Sequence, residues 1–207
     1  MTTLLIQTES TPLTVNFPSL VQMTNEQFYE FCQANGDLRI ERTANGEVII
    51  MPPDFSDTGN RNFNIAAQLG NWTEQDGTGI GFDSSTGFTL PNGAMRSPDA
   101  SWIELERWNL LTDVQKASFA PICPSFVIEL RSSSVGVARR RHRLIKLQEK
   151  MQEYIDNGAS LGWLIDRQNR KVYIYRANRE LEVLENPEAV TGNPELPGFI
   201  LRMSKIW

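Results

Sequence analysis

The chain has 207 residues, of which 40% are hydrophobic and 22% charged, and its formal net charge is −5. A chain of this length and composition can build a real hydrophobic core without a metal or a disulfide to stabilise it. Its two cysteines and single histidine are too few for a structural zinc cluster, which usually takes four such ligands. Any bound metal must therefore be held by carboxylates, which favours a hard ion such as magnesium.

The sequence carries no signal for export or membrane insertion. Its first twenty residues lack the basic residues and the long apolar core of a secretory signal. No apolar run approaches the roughly 18 residues that are needed to span a bilayer. Because two cysteines without a disulfide framework are typical of a reducing compartment, we expect a cytoplasmic protein with no membrane partner.

Positive charge is concentrated in one window of the chain, from Arg131 to Lys150. This window holds seven basic residues and one acidic residue, a net charge of +6 in a chain whose total is −5. One basic patch on an acidic body indicates a specific anionic partner. The alternative is a solvated helix face, and charge alone does not separate the two.

The chain divides into an N-terminal arm, residues 1–22, and a single domain, residues 23–207. The arm contains Thr, Ser and Pro without a clear periodicity. No linker composition and no internal repeat interrupts the remainder, in which helical and strand patterns alternate. This alternation predicts one mixed α/β domain.

Three amphipathic patterns indicate helices. The first begins at a capping box, in which Thr24 and Gln27 stand three residues apart. The other two have apolar residues at helical spacing, and the last of them ends at Asn157-Gly158. The predicted helices cover residues 24–35, 59–74 and 138–156.

Alternating and continuous apolar runs indicate strands. The turn sequence Ala44-Asn45-Gly46 predicts a β-hairpin, and the nearly continuous apolar run Ser125–Leu130 predicts a central strand buried on both faces. The glycines at positions 77, 79 and 81 are expected to form a loop. The predicted strands are residues 38–42, 47–51, 87–90, 97–104, 125–130, 161–165, 171–175 and 181–184.

Glu129 interrupts the most apolar of these strands. A buried carboxylate is unfavourable unless it is paired or coordinates a metal. Asp99 follows Pro98 at the start of the preceding sheet segment, and carboxylates from two neighbouring strands can hold one Mg²⁺. The alternatives are a salt bridge from Glu129 to an arginine and a turn role for Asp99.

The helix that follows Glu129 carries a basic ridge. Four of its basic residues recur at helical spacing: Arg139, Arg143, Lys146 and Lys150. Lys150 stands at the border of the apolar stripe, from which it can reach the strand ends, while the arginines would contact phosphates. The alternative is a helix whose long basic side chains lie along its own apolar edge.

Three segments of the chain together resemble a known family. They are Pro98-Asp99, Glu129-Leu130-Arg131, and Lys150-Met-Gln-Glu-Tyr-Ile-Asp-Asn-Gly158 followed by Leu161-Gly-Trp-Leu-Ile-Asp166. These segments are similar to motifs of the Uma family of restriction endonucleases, a branch of the PD-(D/E)XK nuclease superfamily. The resemblance covers roughly residues 24–185, and the third segment is its most specific part.

The resemblance implies both a fold and a reaction. The implied fold is α/β, a restriction endonuclease-like core with a central four-stranded mixed β-sheet flanked by helices, here with an N-terminal helix and β-hairpin. The implied site hydrolyses phosphodiesters: Asp99 and Glu129 bind Mg²⁺ or Mn²⁺, and a lysine helps to position the attacking water. Glu47, which lies in a matched upstream segment, is a further candidate metal ligand and ranks above Glu41.

The chain departs from the superfamily pattern at the lysine. The position two residues after Glu129 holds Arg131, whose pKa is too high for it to act as a base, although it can stabilise charge. The resemblance implies that Lys150 from the next helix takes over the lysine role, with Arg131 as the alternative catalytic cation.

These residues lead to one expected function and two alternatives. The expected function is metal-dependent cleavage of DNA, with RNA as a second substrate class. Four residues are expected to bind the nucleic acid: Arg139, Arg140, Arg143 and Lys146. The first alternative is an inactive nucleic-acid-binding protein of the same fold, which the absence of lysine at position 131 favours; the second is a scaffold protein. A homodimer is also considered, by analogy with nucleases that cut both strands.

Overall fold

The computed structural model describes residues 12–15, 23–132 and 137–207, and the side chains of residues 137–140 lie outside this description. Of the predicted arm, the described residues are 12–15, and the rest of the arm lies outside them. The strands are β1 (Leu13–Val15), β2 (Arg39–Arg42), β3 (Val48–Met51), β4 (Gly79–Asp83), β5 (Phe88–Thr89), β6 (Met95–Arg96), β7 (Ala100–Glu104), β8 (Phe126–Leu130), β9 (Leu161–Asp166), β10 (Lys171–Arg176), β11 (Glu182–Glu185), β12 (Ala189–Thr191) and β13 (Ile200–Arg202). The helices are α1 (Asn25–Ala34), α2 (Ser56–Asp76), α3 (Leu105–Asn109), α4 (Asp113–Lys116) and α5 (Val137–Asp156), with a 3₁₀ helix at Met203–Lys205.

A mixed sheet lies at the centre of the fold. In the described part of the chain it has six strands in the order β11-β10-β9-β8-β7-β4. Strands β8 and β9 are parallel, and the other neighbours are antiparallel. Helix α5 makes the crossover that a parallel pair requires. The predicted central mixed sheet flanked by helices is confirmed, with two strands more than the resemblance implies.

Strand β8 is buried on both faces, as its apolar run predicts. Phe126 and Ile128 pack in one hydrophobic cluster with Ile65 and other residues of α2. Val127 points to the opposite face, where it packs in a second cluster with Met151 of α5. Because side chains alternate along a strand, α2 and α5 cover opposite faces of the central sheet.

A smaller antiparallel sheet stands beside the central one. In the described residues its strand order is β1-β3-β2-β6-β5. The predicted hairpin is confirmed, because β2 pairs with β3 and Gly46 adopts the positive φ of 86° that the turn needs. The predicted capping box of Thr24 and Gln27 starts α1, whose Phe28 packs against this sheet. Strand β6 leads within four residues into β7, so this short segment joins the two sheets.

The glycine-rich segment after α2 corrects one prediction. Gly77 does form a turn, with a φ of 69° at the end of α2. The expected loop is wrong for Gly79 and Gly81, because both lie in β4, which pairs with β7. The glycine at position 79 is explained by packing: a Cβ there would lie 2.1 Å from the indole of Trp102.

Sequence analysis predicts that the chain has no membrane-spanning segment and no disulfide framework. None of the helices in the described residues is long and apolar enough to cross a lipid bilayer. Cys32 and Cys123 are both free thiols. Burial raises the pKa of the Cys123 thiol to about 12, so this side chain behaves as a small apolar group of the core.

The contact between Gly79 and Trp102 gives a test of the fold. We expect Gly79→Ala to lower the free energy of unfolding by about 1–3 kcal/mol, because the added methyl overlaps a buried ring that has little room to move. The matched control is Gly81→Ala in the same strand, where the nearest atom to a Cβ is 3.4 Å away. Urea unfolding of both variants and the wild type measures the effect. Equal midpoints for the two variants would contradict the packing.

Candidate active site

Asp99 and Glu129 lie next to each other at one end of the central sheet. Strand β7 begins at Ala100, which pairs with Ile128 of β8, so Asp99 stands just before the paired register and near Glu129. The backbone N–H of Leu130 donates a hydrogen bond to Asp99 Oδ2 at 2.8 Å, which fixes this carboxylate beside the strand end.

The ammonium of Lys150 binds the second of these carboxylates. Lys150 Nζ lies 2.7 Å from Glu129 Oε1 and 2.8 Å from Glu41 Oε1. The hydroxyl of Tyr154, one helical turn further along α5, donates to the same Glu129 oxygen at 3.1 Å. Burial alone lowers the pKa of Lys150, but the charges of Glu129 and Glu41 outweigh it and hold the pKa above its ordinary value. Lys150 is therefore a cation in this site.

Glu41 is the residue that completes this arrangement, and sequence analysis ranks it below Glu47. It comes from β2 of the smaller sheet and is 2% exposed. Besides Lys150, it accepts a hydrogen bond from the backbone N–H of Ser97 at 3.0 Å and pairs with Arg96 at 3.2 Å. Burial raises the pKa of Glu41, but Lys150 and Arg96 outweigh that effect and lower it overall.

A second ion pair ties the smaller sheet to α5. Arg96 of β6 binds Glu41 with one nitrogen and Glu153 of α5 with another, the latter at 2.6 Å. Glu153 lies one turn after Lys150 on the same helix. Two ion pairs therefore join α5 to the smaller sheet, one through Lys150 and one through Arg96.

Glu129 has an unusual balance of charges. Burial raises its pKa, Lys150 lowers it, and the neighbouring carboxylates of Asp99 and Glu41 raise it again, to about 7. Glu129 therefore exchanges a proton near neutral pH, well above the range of an ordinary glutamate.

These side chains form the floor of a cleft of about 880 Å³. One wall is the smaller sheet, and Glu47 lines the cleft on this wall at the start of β3. The other wall is α5, where Arg143 and Lys146 line the cleft. Glu47, Arg143 and Lys146 thus line the same cleft as Asp99 and Glu129.

The side chains of Asp54 and Asn62 lie next to Asp99, on the side of the site that faces α2. The amide of Asn62 donates to Asp99 at 3.4 Å and to Asp54 at 3.3 Å, and Arg39 pairs with Asp99 at 3.4 Å. Burial raises the pKa of Asp54, and the Asp99 charge raises it further. Burial also lowers the pKa of Arg143, against the opposing charges of Asp54 and Asp99.

Arg131 has a different environment from Lys150. Its guanidinium pairs with Asp166 at 2.5 Å, and both side chains are almost completely buried. Asp166 also accepts hydrogen bonds from the side-chain amide of Asn169 at 2.7 Å and the backbone N–H of Gln168 at 3.2 Å. The residues that line the cleft include Lys150 and not Arg131.

The remaining predicted contacts are those of Arg139 and Arg140. Both belong to the first turn of α5, and their side chains lie outside the described residues. The described members of the basic ridge, Arg143, Lys146 and Lys150, follow one another along the side of α5 that faces the cleft.

The donor set is compatible with a magnesium or manganese ion. No group of three or more His, Cys, Asp or Glu side chains in the described residues is arranged as a ready-made metal site. Magnesium, however, is usually held by one or two carboxylates, with waters and substrate phosphates as its other ligands. Asp99 and Glu129 provide two such carboxylates in one cleft, and their mutual repulsion is what a divalent cation would relieve.

Sequence analysis names Glu41 only as a candidate ranked below Glu47, and it does not single out Asp54, Arg39 or Asn62. Asp54 carries a weak signal, because it directly follows the Pro52-Pro53 stop of β3. Glu41 carries another, as an acidic residue within a predicted strand. Neither signal indicates which surface of another element the side chain will meet.

Comparison with known proteins identifies the class and then the family. The fold is similar to a crystal structure described as "a putative nuclease belonging to DUF820" from Anabaena variabilis ATCC 29413, with a TM-score of 0.64 and 18% identity over 81% of this chain and 88% of that one. At this identity the likeness shows the fold. Residues 25–204 match the model of the Uma2 family, described as "Putative restriction endonuclease". The chain therefore belongs to the Uma2 family, which confirms the resemblance. A search of curated proteins finds no match.

The raised pKa of Glu129 gives a pH test on metal-free protein. The folded state holds a proton on Glu129 that the unfolded chain, with an ordinary pKa near 4.5, releases. The stability that Glu129 contributes is therefore lost as the pH rises towards and through 7. We expect Glu129→Gln to remove this part of the decline, on the order of 1–3 kcal/mol between about pH 5 and pH 8.

The measurement is urea unfolding in EDTA at the two ends of this pH range. The control is Glu74→Gln, which changes an exposed carboxyl on α2. If Glu129→Gln and Glu74→Gln change the pH dependence equally, Glu129 does not titrate near neutral pH.

Proposed function

We propose that this chain is a metal-dependent endonuclease that hydrolyses DNA phosphodiester bonds, with Asp99 and Glu129 as the ligands of Mg²⁺ or Mn²⁺. The observation that carries the proposal is the position of the Lys150 ammonium, within 2.7 Å of Glu129 on the floor of a cleft. Membership of the Uma2 family supports the same reaction class. When bound, the ion would stabilise the negative charge that develops as a phosphodiester is hydrolysed.

Lys150 is proposed to stabilise charge on the scissile phosphate. Its pKa is raised, so it does not remove a proton from water at neutral pH. Among the described residues, Glu41 and Glu129 take two of its three N–H donors, and the third is then available to a phosphate oxygen. A fixed donor of this kind stabilises a transition state without reorganising.

Glu41 is proposed to hold Lys150 in place. If Glu129 were its single partner, the Lys150 ammonium would lose its ion pair, and with it its fixed position, whenever Glu129 is protonated. Glu41 is itself fixed by Ser97 and Arg96, so the ammonium keeps its position over the floor of the cleft. Arg131 is proposed as a structural partner of Asp166, because this ion pair already occupies its guanidinium at 2.5 Å.

Substrate binding is assigned to the basic residues of α5. Arg143 and Lys146 line the cleft wall beside Lys150, where they can contact the phosphates that flank the scissile one. Arg139 and Arg140 are proposed to continue this contact towards the start of the helix. The charges of these side chains explain why a basic window is present in an acidic chain.

Removal of either proposed metal ligand tests the reaction. We expect Asp99→Ala and Glu129→Ala each to lower Mg²⁺-dependent cleavage of plasmid DNA by at least about 100-fold, because charge stabilisation at the phosphate is lost. Glu180→Ala, an exposed change outside the cleft, serves as the control and should cleave like the wild type. Equal cleavage by all four proteins would indicate a contaminating nuclease and remove the proposal. DNA binding without cleavage by the wild type would instead favour an inactive binding protein.

Variants of two lysines on α5 distinguish a role in catalysis from a role in substrate binding. We expect Lys150→Met to lower kcat by about 100-fold or more, because its donor acts on the transition state. Lys146→Met, one turn earlier and exposed, should raise KM and leave kcat almost unchanged. Steady-state cleavage of a labelled oligonucleotide measures both constants. A lower kcat for Lys146→Met with a normal kcat for Lys150→Met would reverse the assignment.

A further inference from the structure

The walls of the cleft differ in chemistry, and this difference bears on the form of its substrate. The wall made by α5 carries the basic residues His142, Arg143, Lys146 and Lys150, together with Glu149 and with Glu153, which is paired with Arg96. The opposite wall comes from the smaller sheet, and three of its charged residues, Arg39, Glu41 and Arg96, are paired with Asp99, Lys150 and Glu153. The rest of this wall includes Thr14, Ile49 and Met51, with Glu47 as a further acidic residue that repels a phosphate.

The register of the smaller sheet explains the second wall. Thr14 of β1 pairs with Ile49 of β3, and Ile49 pairs in turn with Glu41 of β2. Side chains in such a row point to one face of a sheet, and all three of these line the cleft. Met51 lies two residues after Ile49 on the same face. Phe55 follows at the start of α2 with 49% of its surface exposed, so an aromatic ring stands at the edge of the cleft.

The floor of the cleft restricts what can reach it. The side chains of Glu129 and Asp99 are 5% and 10% exposed, so a phosphate must enter the cleft to contact them. A volume of about 880 Å³ is that of a site enclosing one molecule of drug-like size, since such pockets measure roughly 300–1,000 Å³. A space of this size suits a short segment of one strand.

We infer that the cleft binds a single strand of nucleic acid, with the backbone along α5 and the bases towards Ile49, Met51 and Phe55. This inference rests on the proposed function and specifies its substrate. A single strand has one charged side and one side of stacking surfaces, which matches a cleft with Arg143 and Lys146 on one side and Ile49, Met51 and Phe55 on the other. A duplex carries phosphates on both sides, and its second backbone would meet Glu47.

The test is a binding measurement in EDTA, which needs no cleavage. A fluorescein-labelled DNA oligonucleotide is titrated with the full chain, either as a single strand or annealed to its complement, and anisotropy gives the Kd. We expect the single strand to bind at least tenfold more tightly than the duplex. Equal or tighter binding of the duplex, or no binding of either, overturns the inference.

Two phenylalanines of the α2 region provide a matched pair of variants. Phe55→Ala should weaken single-strand binding by about fivefold to 100-fold, the range that corresponds to losing one base–aromatic stack. Phe63→Ala removes a more exposed ring on the same helix but outside the cleft, and should leave the Kd unchanged. Met51→Ala tests the same wall independently of Phe55. Equal effects of Phe55→Ala and Phe63→Ala would overturn the placement of the bases.

The inference and the proposed function fail in different ways. Mg²⁺-dependent cleavage of duplex plasmid that is lost in Asp99→Ala, together with no preference for single strands, removes the inference and leaves the nuclease. A single-strand preference without cleavage of any substrate removes the nuclease and leaves the inference. The Kd of a single-stranded RNA oligonucleotide of the same sequence shows whether the cleft prefers RNA or DNA. Tighter binding of the RNA strand supports the inference and reassigns the substrate from DNA to RNA.

Discussion

The Lys150 ammonium, held between the carboxylates of Glu41 and Glu129, is the interaction on which the arrangement of the site depends. All three groups are nearly buried, and any one of them without its partners would be an uncompensated charge in the interior. Glu129 of β8 and Lys150 of α5 come from consecutive elements, but Glu41 of β2 is far from both in the chain. The smaller sheet, the central sheet and the crossover helix must therefore dock together for the charges to be neutralised. The geometry of the site is a result of that docking and not of any one element.

The parts of the site that depend on local sequence could be predicted. Glu129 is the one carboxylate in a run of apolar strand residues, and Asp99 stands at the entry to the neighbouring strand, so strand order alone brings them together. Lys150 is identified by its place at the border between the basic and apolar stripes of α5. Glu41 could not be predicted in the same way, because its strand is polar and nothing local indicates that this face meets α5.

The parts that depend on tertiary register were also missed. Leu130 pairs with Ile165 in the parallel register, which places Arg131 beside Asp166, so this arginine has a buried ion-pair partner at the position where the resemblance implies a lysine. Strand β4 was also missed, because its glycines are typical of a loop. Gly79 is required there because Trp102 of the paired strand occupies the space of its side chain. Both features follow from which residues face each other across strands, and a single sequence does not contain that information.

The short link between the two sheets connects one wall of the cleft to Asp99, one of the two proposed metal ligands. Strand β6 ends at Arg96, Asp99 stands three residues later, and β7 begins immediately after it. The backbone N–H of Ser97 within this link donates a hydrogen bond to Glu41 of the smaller sheet, and Asp99 accepts one from Leu130 of the central sheet. Asp99 is therefore anchored through its link to one sheet and through its carboxylate to the other. The position of this carboxylate thus depends on how the two sheets pack together as well as on the strand that follows it.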